Sequence, residues 1–353
     1  INIKQRYRVN GIVMNHGRKI LLAISLGLIV FVGSTVTGYA SDSAVILQYH
    51  RFGESDFPST NIRIKQFENH INYLKNEGFS VLPVPHIIAA LKAGQSLPDK
   101  TIGITIDDAV SSVYEIAWPK LMKAGFPFTL FVSTDAIDHK NRRSLSWIQI
   151  REMASSGVTI GDHSAAHEHM WQMTINERKL DLDRAQRRFL EELNYTPTLF
   201  AYPFGEFDTS LLNEIKGRGY DVAFGQQSGV IYGGLDFMKL PRFSLNEKYG
   251  DIDRFKLIVN TLPLKITDLT PQNPVLSENP PNIGFTVSET HANVKELACF
   301  ASGQGRAGIE ILGSQRIEVR LEKSFSEGRN RLNCTLPGPG KRWHWLGLQF
   351  IVP

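Results

Sequence analysis

From Val45 to about Phe243, short apolar runs alternate with segments of helical pattern. The runs are VILQY (45–49), TIGITI (101–106), FTLFV (128–132), VTI (158–160), TLFAY (198–202) and DVAFG (221–225). Between them, residues 65–77 place Phe67, Ile71 and Leu74 at helical spacing, and residues 174–193 set Ile175, Ala185, Phe189 and Leu193 as an apolar stripe among charges. Asp208 or Thr209 can cap a third helix, which Gly217 or Gly219 would end. Strand–helix alternation over roughly 200 residues predicts a parallel sheet with helices outside, and the count suits a (β/α) barrel.

The pattern changes after about residue 258. The stretch LPLKITDLTPQNPVLSENPPN is rich in Pro and Asn and reads as a boundary. Beyond it come IGFTVS, VKELACFA, GIEILG, RIEVRLE, RLNCTL and WLGLQFIV, with turn residues between most of them. Short strands without helical period predict a small antiparallel β domain, a sandwich in form. The expected division is a leader over 1–40, a barrel over 41–258 and a β domain over 259–353. Trp343 and Trp345 share one strand face in this reading and suit either sugar stacking or a core.

Composition adds one correction to this picture. At 42% hydrophobic and 21% charged residues the chain is an ordinary globular protein. The formal charge of +4 comes from one end: residues 1–40 carry Lys4, Arg6, Arg8, Arg18 and Lys19 and no acid. Removing those five from 39 basic residues leaves 34 against 35 acids, so the body is near neutral and nucleic acid is not an expected partner. The same segment has the layout of an export signal. Met14 can be the start, Arg18 and Lys19 are basic, residues 20–33 are apolar, and Gly38-Tyr39-Ala40 offers a cleavage site. The alternative is an uncleaved anchor, which would be the chain's one link to a membrane. Either way the body is expected in the periplasm or outside the cell. There, Cys299 and Cys334 are expected to form a disulfide, since two cysteines alone do not complete a zinc site.

Polar residues collect at the ends of the predicted strands. His50 follows VILQY, Asp107 and Asp108 follow TIGITI, His163 follows VTIGD with His167 four residues later, and Pro203-Phe204-Gly205 follows TLFAY. A last extended piece, MKL, leads to Pro241 and Arg242. In a parallel barrel these ends share one face, and that face carries the active site. Alone, each motif has a bland reading: a helix cap for Asp-Asp, a surface pair for His-x-x-x-His, a turn for Tyr-Pro-Phe-Gly. Together they predict a site. Adjacent carboxylates repel, and a divalent cation on one of them relieves the repulsion. Asp108, His163 and His167 offer one oxygen and two imidazole nitrogens, a common catalytic zinc set. Mixed ligation also admits cobalt, nickel or iron. Such an ion activates water, and Asp107 would take the proton as general base. His86, His139 and His169 are expected at the surface or behind the site. The residues between His163 and His167 are SAA, without the glutamate of an HExxH protease.

These residues resemble the polysaccharide deacetylases of the NodB-homology type, carbohydrate esterase family 4. TIDD (105–108) looks like the first family motif, TFDD, with Ile106 in place of Phe. HSAAH (163–167) fits the second, H-S/T-x-x-H. FAYPFG (200–205) is similar to the third, usually RxPxG. LQYHRF (47–52) is similar to the branch acting on poly-N-acetylglucosamine-type exopolysaccharides. The resemblance covers about residues 44–250. It implies a distorted NodB-type barrel, Asp107 as base, and Asp108, His163 and His167 as ligands of a divalent metal, zinc first. It also implies that Tyr202, Pro203, Phe204 and Gly205 line the substrate groove, with the Phe204 N–H at the oxyanion. The implied reaction is hydrolysis of N-acetyl groups from an N-acetylglucosamine-containing glycan, releasing acetate.

Two positions depart from the family pattern. The arginine of the third motif, which orients the base, is Ala201 here, and Arg242 is the candidate to supply its charge from another strand. The late L-x-H motif, whose histidine acts as general acid, is not evident. His50 is the first candidate for that proton, and Asp107 returning its own is the second. The departures and the added β domain keep open a catalytically weak carbohydrate-binding relative, and the strand-end constellation by itself also admits a metal hydrolase of another amide or ester.

Overall fold

The computed structural model describes residues 40–139, 143–288 and 293–353. The expected leader lies outside these residues apart from Ala40. Among the described residues no helix is long and apolar enough to cross a membrane.

The larger sheet is built from β1 (Ser43–Tyr49), β2 (Ser80–Val81), β3 (Thr101–Ile106), β4 (Thr129–Val132), β5 (Thr159–Asp162), β6 (Leu199–Ala201), β7 (Val222–Phe224), β8 (Val230–Tyr232) and β9 (Phe243–Ser244). Strands β1 and β3 are buried at every position, which is why their sequences are continuous apolar runs and not alternating ones. The order is β7-β6-β5-β4-β3-β1-β8, with β2 also on β3 and β9 also on β1. Every pairing is parallel except β8 on β1, a departure from the all-parallel sheet the sequence predicts. Leu240 bridges to Phe224, and three residues later Phe243 and Ser244 pair with Leu47 and Gln48. One broken stave therefore touches β7 on one side and β1 on the other, and the sheet closes into a distorted barrel. Gly161 on β5 is required by the packing: a Cβ there would lie 2.4 Å from the Phe131 ring.

The helices on this sheet are α1 (Ile64–Asn76), α2 (Val84–Lys92), α3 (Trp118–Ala124), α4 (Thr134–Asp138), α5 (Trp147–Ser155), α6 (Ile175–Leu193), α7 (Thr209–Gly217) and α8 (Ile252–Val259). Thr174 and Glu177 form a capping box on α6, and the Asp208 carboxylate accepts from the Leu211 N–H to cap α7. Helix α2 is hard to read in the sequence because Val84, Ile87, Ile88, Ala90 and Leu91 are all buried and its exposed face is narrow, with only His86 and Lys92 polar on it.

His70 on α1 ties the helix to the barrel. Its Nδ1 accepts from the Tyr49 hydroxyl (3.0 Å), its Nε2–H donates to Gly250 O (2.9 Å), and its ring stacks on Phe255 at 3.8 Å. Burial pushes its pKa down from 6.5 to about 4. A buried histidine kept neutral leaves stability undiminished above pH 6.5 and lowers it as the unfolded chain alone takes up the proton. We therefore expect His70 to withdraw about 3 kcal/mol as pH falls from 6.5 to 4. Denaturant titrations across that window should show a flatter slope for His70→Gln than for the parent chain; equal slopes would assign the acid sensitivity elsewhere.

The remaining strands are β10 (Leu262–Pro263), β11 (Ile266–Thr270), β12 (Ile283–Val287), β13 (Ala298–Ala301), β14 (Gly305–Arg306), β15 (Gly308–Leu312), β16 (Arg316–Arg320), β17 (Gly328–Pro337) and β18 (Trp343–Val352). They form a five-stranded sheet, β10-β18-β17-β13-β14, and a four-stranded one, β11-β12-β16-β15. Phe285, Ile317, Leu332, Leu336 and Phe350 fill the core between them. Cys299 and Cys334 face each other on β13 and β17 and are joined by a disulfide. Trp345 packs edge-on against Phe243 of the barrel at 5.4 Å and donates to Asn333 Oδ1, while Trp343 remains exposed.

Candidate active site

The two adjacent aspartates diverge. Asp107 extends β3 by one hydrogen bond, its N–H to Tyr49 O at 2.9 Å, and its side chain is fully buried. Asp108 has φ 75°, a left-handed conformation that turns its carboxylate away from its neighbour. Asp107 is paired with Arg242 in bidentate fashion: Nη1 to Oδ1 at 2.7 Å and Nη2 to Oδ2 at 2.8 Å. Gln48 Nε2 donates to the same Oδ2 at 2.6 Å, and His50 Nε2 stands 4.0 Å from it. Arg242 is itself fully buried, with Nε donating to Gly225 O (3.0 Å), Nη1 to Thr105 Oγ1 (3.2 Å), and Phe131 and Phe224 flanking the guanidinium. Burial pushes the Asp107 carboxyl up, but Arg242, with His163 and His50, outweighs it and holds the group below the usual carboxylate range.

The second loop, HSAAH, presents the histidines. His163 is fully buried and its Nδ1–H donates to Ala201 O at 2.6 Å, which leaves the Nε2 lone pair facing Asp108. Burial pushes its pKa down to about 4, so the ring is neutral, the form that binds metals. Ser164 (φ 66°) and His167 (φ 55°) are both left-handed. Two carboxylates hold that backbone through three hydrogen bonds: Asp162 Oδ1 accepts from Ser164 N–H (2.8 Å), and the two Asp181 oxygens accept from Ala165 N–H and Ala166 N–H (2.9 Å each). Ser164 Oγ in turn accepts from the His167 N–H at 3.1 Å. Asp162 also accepts from the Tyr220 hydroxyl (2.6 Å), and burial pushes its pKa up to about 7. Asp162, Asp181 and Gln48 are absent from the sequence expectations. Asp181 carried a signal: it lies beside Leu182 on the buried face of α6, where a carboxylate needs a partner.

Asp108 Oδ1 lies 3.6 Å from His163 Nε2 and 3.4 Å from His167 Nε2, and the three ligand atoms fall within 4.8 Å of one another. Asp108 Oδ1 and His163 Nε2 are buried without a hydrogen-bond partner. Two orphaned acceptors aimed at one point, in a one-oxygen, two-nitrogen set, fit a divalent cation. Of the nine non-glycine residues with positive φ among those described, five lie at the site: Asp108, Ala109, Ser164, His167 and Phe204. Backbone strain of this kind persists where the surroundings over-determine it.

The third loop needs a correction. Tyr202 was expected to line the groove, but its side chain is buried among Phe200 and Phe207 and its hydroxyl donates to Met238 O at 2.9 Å. It anchors the loop and offers no side chain to a ligand. Pro203 and Gly205 are also buried, and Phe204 is the residue of the four that keeps exposed surface. Its ring packs 4.6 Å from His167 and stacks at 4.0 Å on His169. His169 is held by Glu206 Oε2 at 2.6 Å, which also accepts from Trp171 Nε1 at 3.0 Å. His86 and His139 are exposed and take no part.

Residues 94–223 match the sequence model of the family described as Polysaccharide deacetylase. The Bacillus subtilis protein YxkH, described by its name as a polysaccharide deacetylase, is 26% identical over 185 residues, 52% of this chain and 65% of its own length. The chain thus spans just under two thirds of that relative. A Staphylococcus aureus poly-beta-1,6-N-acetyl-D-glucosamine N-deacetylase is 24% identical over 275 residues, 66% of this chain and 94% of its own. Among solved structures, IcaB from Ammonifex degensii superposes with a TM-score of 0.55 at 26% identity, covering 62% of this chain and 96% of that one. A stretch of this chain as large as the β domain therefore has no counterpart in IcaB.

Proposed function

We propose that this chain, whose residues 94–223 match the polysaccharide deacetylase family and which is related to poly-N-acetylglucosamine deacetylases, is an exported metal-dependent enzyme that removes N-acetyl groups from an N-acetylglucosamine-containing glycan. The observation that carries this reading is the pair of orphaned acceptors, Asp108 Oδ1 and His163 Nε2, beside an arginine-paired Asp107. Asp108, His163 and His167 would hold a divalent ion, zinc first by its ligand types, with cobalt or nickel as alternatives. When bound, such an ion supplies a Lewis acid for the amide carbonyl and acidifies water. Asp107, ionised by Arg242, takes a proton as general base. His50, 4.0 Å from Asp107 Oδ2, is the neighbouring group placed to relay a proton to the leaving amine. The Phe204 N–H serves the oxyanion.

The relative's printed substrate supports a poly-N-acetylglucosamine polymer here. The export pattern before residue 41 and the Cys299–Cys334 disulfide both support an oxidising compartment. The weak-relative reading drew on the missing third-motif arginine, the missing late histidine and the added β domain; the Arg242–Asp107 pair supplies the first of these and favours an active enzyme.

Acetate release from β-1,6- and β-1,4-linked N-acetylglucosamine oligomers tests the reading. The metal-stripped protein should be inactive, and zinc, cobalt or nickel should restore turnover. Stoichiometric metal binding without acetate release from either linkage would reject the deacetylase assignment.

A further inference from the structure

We propose that the C-terminal β domain is part of the catalytic machinery, with Gln349 and Arg329 as positioning residues that hold the Pro203–Gly205 turn in shape. What the turn does rests on the reading above; what holds it does not.

The turn cannot hold itself. Phe204 (φ 58°) and Gly205 (φ 71°) are consecutive left-handed residues, and Phe204 has a side chain that disfavours that conformation. The turn's own hydrogen bonds are Gly205 N–H to Tyr202 O (2.8 Å) and Glu206 N–H to Pro203 O (3.1 Å). These leave the carbonyls of Phe204 and Gly205 to find donors elsewhere, and both find them in the β domain. Gln349 Nε2 on β18 donates to Gly205 O at 2.8 Å, in a buried contact. Arg329 Nη1 on β17 donates to Phe204 O and reaches Gln226 Oε1. On the barrel side, Tyr202 N–H donates to Phe224 O at 3.0 Å. The Phe204 N–H therefore sits between points fixed from both sides, and its ring rests against the ligand His167.

The supporting face is built for close approach. Alternation on β18 puts Trp345, Gly347 and Gln349 on one side. Trp345 packs on Phe243, and a Cβ at Gly347 would lie 1.9 Å from Ser228 O, so only glycine lets β18 come this near. The row thus delivers Gln349 to the turn at a fixed height.

The test uses the full chain with Gln349→Met and Arg329→Met, which keep bulk and remove the donors, and Arg329→Lys, which restores one. Steady-state kinetics on an N-acetylglucosamine oligomer, metal content, melting temperature and amide exchange at Gly205 and Glu206 are read together. The expected result is a roughly ten- to hundred-fold loss of kcat with KM and metal content little changed. Exchange at Gly205 and Glu206 should quicken while β17 and β18 stay protected, with partial recovery of kcat in Arg329→Lys. Unchanged kcat, or losses that track a lower melting temperature with faster exchange throughout β17 and β18, would overturn the proposal and leave these contacts as interdomain packing. If the parent chain releases no acetate, exchange alone reads the support: local quickening at Gly205 and Glu206 upholds the positioning contact while the deacetylase reading fails.

Discussion

Asp107→Asn is expected to lower kcat for acetate release by roughly 10²–10⁴-fold, the range removed with a general base. The substitution keeps shape, so Gln48 and Thr105 stay packed, and the Asp108–His163–His167 set is untouched; metal content should equal that of the parent. What changes is charge. The neutral amide cannot accept a proton, and it leaves the Arg242 guanidinium fully buried without its counter-ion. Breaking a buried pair in this way destabilises by about 3–5 kcal/mol, so the melting temperature must be followed alongside the rate. Single-turnover acetate release on folded, metal-replete protein separates the two effects. Near-parental turnover would move the base assignment to His50.

The parts of this site that were legible in sequence are those where chemistry coincides with a strand end. TIGITI and VILQY read as buried strands because the sheet is covered on both faces, and Asp107, Asp108, His163 and Arg242 follow such runs. Arg242 is the instructive case. Its position after MKL suggested a stave, but the closure that turns its guanidinium onto Asp107 depends on Leu240 bridging to β7 and Phe243 to β1 within four residues. Tyr202 failed for the opposite reason. Its place at the end of TLFAY looked like the rim of the site, yet the pleat sends its side chain back toward Met238.

Other functional contacts had no local pattern to read. Asp181 reaches the HSAAH backbone only because of how α6 is rotated about its axis. Gln349 and Arg329 meet the third-motif turn across 144 and 125 residues of separation, through a domain whose sequence reads simply as alternating strands. Such contacts arise from docking of one core onto another. Periodicity reports which face of a strand is buried and says nothing about what it is buried against.

Arg242→Gln carries the second large effect, and it separates positioning from scaffolding. Glutamine can keep one hydrogen bond to Asp107 but supplies no charge and no fork. Burial then pushes the Asp107 carboxyl up with its main opponent gone. A base must be ionised to act, so the acid limb of the kcat/KM profile should move to higher pH, and turnover near neutrality should fall by about 10² or more. Raising the pH should recover part of that loss, because the variant's Asp107 ionises there. Metal content should not change, since Arg242 contacts none of the three ligands. Arg242→Lys keeps charge but not bidentate geometry, and should fall between the parent and the glutamine variant. The buried guanidinium also bonds Gly225 O and Thr105 Oγ1, so some stability is lost in either case. Stability loss alone lowers the whole pH profile without displacing its acid limb. A profile lowered but not displaced would therefore assign Arg242 to barrel closure, and a displaced one would assign it to holding the base ionised.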